Sequence, residues 1–130
     1  MKSPIKTILV LENHPLMCEA FCAVIASEPN LVVIGQVTFG TEALRMVARF
    51  LPDAVLFVVD PSLPENLLSL LSLRKSFPRT LILTLANDEA PDQEEAIVHL
   101  LSDAVISRNA SPSDILQVLR KLQLLSNEKE

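Results

Sequence analysis

The chain has no Trp, no Tyr and only 5 Phe in 130 residues. Proteins that hold nucleic acid by stacking its bases need aromatic platforms, and five Phe are a poor supply for one. Glycine is nearly as scarce. Average usage would supply roughly nine in a chain this long, yet there are 2, so a glycine-rich phosphate loop is excluded. Basic residues are outnumbered, 11 Lys and Arg against 16 Asp and Glu, for a net charge of −5. A domain of that sign does not grip a nucleic-acid backbone by itself. No apolar run approaches the ~18 residues of a membrane span. Ile8 to Leu11 is too short for a signal-peptide core and meets Glu12 at once. Cys18 and Cys22 are the only cysteines, and they lack the spacing and His partners of a metal site. We read them as buried, reduced thiols in a cytoplasmic protein without membrane contact.

What is present is a core. Hydrophobic residues make up 49% and charged residues 21%, enough for one packed domain over residues 1–130. The apolar pattern switches period repeatedly. Continuous runs at Thr7 to Leu11, Leu31 to Val37, Ala54 to Val59, Thr80 to Leu85 and Ala104 to Ser107 predict strands covered on both faces. Between them, helical spacing predicts Pro15 to Ser27, with Leu16, Ala20, Ala23 and Val24 inward. Thr41 to Phe50 follows, with Ala43, Leu44, Val47 and Phe50 inward, then Glu65 to Ser76. A fourth helix begins near Asp92, after Pro91, and reaches about Leu101. Ser111 and Pro112 open a fifth that runs to about Leu125, and residues 126–130 are expected to fray. Five strand–helix pairs predict an α/β fold, a doubly wound five-stranded parallel sheet with helices on both faces. Ligands of such sheets gather beyond the carboxyl ends of the strands.

Those ends carry Glu12-Asn13-His14-Pro15, Asp60-Pro61-Ser62-Leu63-Pro64, Ala86-Asn87-Asp88 and Arg108-Asn109-Ala110-Ser111-Pro112. With Gly40-Thr41-Glu42-Ala43-Leu44 and Leu51-Pro52-Asp53, they make the sequence resemble the receiver domain of bacterial two-component response regulators. The likeness is strongest to the subfamily with a helix-turn-helix output domain, and it covers Lys6 to Leu122. It implies a flavodoxin-like (βα)5 sandwich. It also implies a site in which two acidic residues after the first strand and an Asp after the third hold Mg²⁺. In that site a Ser or Thr after the fourth strand and a Lys after the fifth contact the phosphoryl group. Metal, ammonium and hydroxyl together neutralise the transferring charge.

This chain departs from that pattern at most of these positions. Glu12 and Asn13 stand where the acidic pair belongs, Ala86 replaces the hydroxyl residue, and Arg108 replaces the Lys. Arginine keeps the charge but presents a planar fork of different reach. Val105 takes the switch position of a Tyr or Phe, and Thr84, the nearest hydroxyl, falls inside the strand. Counting forward from Pro52-Asp53 puts the phosphoacceptor position at Val58. Counting back from Leu63-Pro64 puts it at Asp60, at the expense of two extra strand residues, ~6.6 Å of extension.

The favoured expectation is a degenerate receiver, a pseudo-receiver with weak or no phosphoryl acceptance and no enzymatic activity. It would act through dimerisation or an output domain, on the face of the fourth helix, fifth strand and fifth helix, with Ile97, Leu100, Leu101 and Val105 as contacts. No bound cofactor is expected. At most Mg²⁺ would bind weakly through Glu12 and Asp60, and Arg108 is expected to pair with Glu12 or Asp60 in place of the cation. One alternative is a working receiver phosphorylated on Asp60 by a histidine kinase. Another is a flavodoxin-like small-ligand protein. His14 reads as a capping or loop residue and His99 as solvent-facing. The acidic run Asp88, Glu89, Asp92, Glu94 and Glu95 reads as a solvated helix start rather than a calcium loop.

Overall fold

The apolar runs and helical stripes fold as alternating elements in a computed structural model that describes residues 5–11, 19–37, 41–59, 64–86, 92–107 and 109–125. They are β1 (Lys6–Leu11), α1 (Glu19–Ser27), β2 (Leu31–Val37), α2 (Thr41–Phe50), β3 (Ala54–Val59), α3 (Pro64–Ser76), β4 (Leu81–Ala86), α4 (Asp92–Leu101), β5 (Ala104–Ser107) and α5 (Pro112–Lys121). All five strands are parallel, in the order β2-β1-β3-β4-β5. The order reverses at β1, so the carboxyl ends of β1 and β3 flank the switch point where such sheets bind ligands. This is the predicted doubly wound α/β sheet.

Strand side chains alternate between faces, and each face has its own core. Ile8, Val10, Leu56, Val58, Leu83, Leu85 and Ile106 pack with Phe21, Val24 and Ile25 of α1 and Ile115 and Leu119 of α5. Leu9, Leu11, Val55, Phe57 and Ile82 pack with Ala43 and Val47 of α2, Leu70 and Leu73 of α3 and Val98 of α4. Burial on both sides is why the strands read as continuous apolar runs. The β3–β4 register is unbroken from Ala54↔Leu81 to Val59↔Ala86. The one shift among these ladders lies between β1 and β2, where Ile8 pairs with Val33 but Leu9 with Gly35.

Several expectations need correction. Ala23 is exposed, and the inner side of α1 is Phe21, Val24 and Ile25. An alanine in a helix is a weak indicator of facing, whereas Phe21 commits a large apolar area. Cys22 is free but exposed rather than buried. Phe50, the last residue of α2, is 46% exposed. Arg49 stacks over its ring at 5.5 Å. Helix α5 stops at Lys121, because Gln123 adopts φ 64° and turns the chain. Leu124 still returns to the core, its amide donating to Leu119 O at 2.8 Å. The start of α5 is as predicted: Ser111 Oγ accepts from Asp114 N at 3.1 Å, in a reciprocal capping box with Pro112 at the first turn. No described helix is long and apolar enough to cross a membrane.

Candidate functional site

The carboxyl edge of the sheet is the place to look, and its described part is short of chemistry. In register, Val59, Ala86 and Ser107 form the last row across β3, β4 and β5. Val58 is only 3% exposed and belongs to the core that includes Val10 and Leu85. The forward count therefore lands on a packing residue. Asp60, the other candidate, follows Val59 in sequence and lies outside the described residues. So do Glu12, Asn13, His14, Cys18, Arg108 and the acidic residues 88 and 89, and with them the expected pairing of Arg108 with Glu12 or Asp60.

Thr84 shows why the nearest hydroxyl is not a substitute for the one missing at Ala86. It sits two rows inside the edge, level with Phe57 and Val105. It is fully buried, and its Oγ1 is 2.6 Å from Ser102 Oγ. That bond satisfies a buried polar group and fixes the hydroxyl below the helix end rather than at the rim. Sequence reading missed Ser102. The available signal was its place just past the last turn of α4, two residues before β5. Ser107 was also passed over as a strand residue. Its Oγ accepts from Asn109 N at 3.0 Å, next to Ala86 in register. Val105 is half-buried against the second core, a branched aliphatic where a rotating aromatic was the comparison.

Among the described residues, no group of three His, Cys, Asp or Glu could hold a metal ion. The sequence offers Glu12 and Asp60 as carboxylates with the neutral amide of Asn13 between them and a full set. Val58 and Ala86 add no oxygen ligand. Mg²⁺ keeps several waters and is held through one or two carboxylates, so Glu12 and Asp60 are the residues that would hold it, with the amide of Asn13 where the resemblance implies a second acidic residue.

Ile97 and Leu100 on α4 are exposed, as contact residues must be, whereas Leu101 and Val105 are partly buried against the second core. His99 is exposed as expected.

No protein-family model matches the chain. It is 21% identical over 115 residues to a nitrate/nitrite response regulator protein homolog of Haemophilus influenzae, covering 88% of this chain and 55% of that protein. It is 28% identical over 119 residues to the oxygen regulatory protein NreC of Staphylococcus aureus, covering 87% and 52%. The chain thus spans about half the length of the curated relatives it matches. The receiver domain of RcsB from Salmonella enterica superposes with a TM-score of 0.77 at 14% identity, over 97% of this chain and 92% of that one. By sequence the chain is a relative of response regulators, and by fold it is a receiver-type (βα)5 sandwich.

Proposed function

We propose that the chain is a pseudo-receiver, a two-component signalling module that works through protein–protein contact and accepts phosphoryl groups weakly or not at all. The observation that carries this reading is the state of Thr84. Its hydroxyl is buried and bonded to Ser102, while Ala86 at the rim has none to offer. Val58 adds a second reason, since one of the two candidate acceptor positions is filled by a core aliphatic. The substitutions Asn13 and Arg108 point the same way. Each preorganised electrostatic contact removed from a transfer site costs ~10²-fold or more in rate, and several are changed together. The relatives are named as regulators of nitrate, nitrite and oxygen responses. On that likeness the module would control an attached or partner transcriptional output, with nucleic-acid contact left to the output.

The test is incubation of the purified chain with acetyl phosphate and Mg²⁺, followed by intact mass measurement. No gain of mass is expected. A gain of one phosphoryl group that Asp60→Ala abolishes would overturn the reading and establish a working receiver, the natural substrate of a histidine kinase.

A further inference from the structure

We propose that the open edge of β2 is a two-fold interface between two copies of this chain, joined strand to strand. The proposal rests on reading the chain as a contact module and names its partner. The sheet has two edges, β2 and β5. Strand β5 is four residues long, and short edges recruit partners poorly. Strand β2 has seven residues, Leu31–Val37, with no charged residue and no proline among them. Those are the residues that ordinarily blunt an edge. Among the described residues nothing pairs with β2 beyond β1.

The edge opens at Val33. The Lys6 amide donates to the Asn30 carbonyl at 2.9 Å, and Lys6 and Ile8 stand level with Leu31 and Val33. By the alternation of such a ladder, Val32 turns its peptide groups to β1 and Val33 turns its own away. The outward amide of Leu31 is already taken by the Glu28 carbonyl at 3.0 Å, and the register shifts after Ile8. Val33 is therefore the centre of what the edge offers. Its side chain and that of Val32 are each 41% exposed. Leu31 belongs to the core on the α1 side, so Val33 points to that side and Val32 to the side of α2.

Helix direction and charge identify the occupant. Helix α2 leans over this edge, since a Cβ on Gly35 would lie 3.6 Å from Met46 Cε. Glu42, Arg49 and Phe50 stand four before, three after and four after Met46, on the same flank. All three are exposed, and the flank begins acidic and ends basic. A two-fold axis normal to the sheet and beside Val33 makes the two β2 strands antiparallel and coplanar. Each Val33 amide then donates to the carbonyl of the other. The same axis runs the two α2 helices antiparallel on one face, Glu42 of each toward Arg49 of the other. Glu42 meets Arg45 across an exposed 3.4 Å contact, which is weak. Stacking over Phe50 leaves the in-plane donors of Arg49 free. Such self-complementarity is the requirement of an isologous dimer.

Sedimentation equilibrium of the purified chain tests this. A dimer that dissociates on dilution and grows no further is expected. Val33→Lys should raise its dissociation constant at least about tenfold. So should Val33→Pro, which deletes an outward amide and no bond of the ladder. Glu42→Arg and Arg49→Glu should each weaken the dimer, and the double variant E42R/R49E should restore it. Leu68→Lys, at an exposed leucine of α3, should leave it unchanged. Unchanged circular dichroism and melting establish that the variants remain folded. A chain that is monomeric at every concentration overturns the proposal, and so does a dimer that ignores Val33→Lys. A double variant no better than the single ones overturns it too, as does growth past the dimer, which would mean that β2 meets a different edge. The phosphorylation assay is separate. A monomer that takes no label sinks this interface alone, and an intact dimer that takes label sinks only the pseudo-receiver reading.

Discussion

Asp103 answers two donors with one oxygen: Arg74 Nη2 lies 2.7 Å from Oδ2, and the amide of Ile82 lies 2.8 Å from the same atom. Arg74 also donates to the carbonyls of Leu101, Pro78 and Thr80. A single guanidinium thereby joins the end of α3, the turn into β4 and the end of α4. Its side chain is 21% exposed and that of Asp103 33%, so the pair is shielded more than a surface ion pair.

Arg74→Ala should destabilise the domain by about 2 kcal/mol, because Asp103 and three carbonyls lose a charged donor. Arg74→Lys should recover less than half, since one ammonium cannot serve acceptors arranged around a planar fork. Urea denaturation followed by circular dichroism measures both.

The bond links fully buried Thr84 to half-buried Ser102, so Ser102→Ala strands the Thr84 hydroxyl away from water. Thr84→Val and Ser102→Ala should each cost about 1 kcal/mol, and the double variant less than the sum. Additive losses in the same denaturation series would show that the hydroxyls do not interact.

Ser111→Ala removes the acceptor for Asp114 N at the start of α5. A loss of about 1 kcal/mol is expected, seen as a drop in melting temperature of roughly 4 °C. Ser111→Asp should retain most of the stability, because a carboxylate caps the same amide.

Leu51 closes α2 at φ 45° and is 73% exposed, its amide donating to Val47 O at 2.9 Å. A leucine gains little packing there and bears the left-handed backbone penalty of ~1 kcal/mol. Leu51→Gly should therefore stabilise the domain, by about 0.5–1 kcal/mol, and raise the melting temperature.

Where an apolar run was bounded by turn residues, its limits could be read closely: β3, β5 and α2 begin and end where pattern and punctuation place them. Reading weakened where burial and backbone part company. The leucines after Lys121 keep the helical spacing of α5, yet Gln123 has already turned the chain and Leu124 is buried from outside the helix. Alanine, cysteine and terminal aromatics misled for a related reason. Ala23, Cys22 and Phe50 are apolar by type, and only their place relative to the sheet leaves them exposed. The site was legible mainly as missing chemistry. Two counts for the acceptor, Val58 and Asp60, arose because residue spacing carries no information on which strand position reaches the rim. The partnership of Thr84 with Ser102 joins residues 18 apart, which no local pattern records.

At the amino edge of the sheet, opposite the candidate site, Thr7 and Asp53 hold each other reciprocally. Thr7 N donates to Asp53 Oδ2 at 2.7 Å, and Asp53 N donates to the Thr7 carbonyl at 3.0 Å. This clasp joins the feet of the two central strands without help from any residue at the far rim. Substitutions at that rim leave the clasp untouched, so the scaffold does not depend on which groups stand there. A module founded on that end is free to exchange chemistry for recognition without refolding.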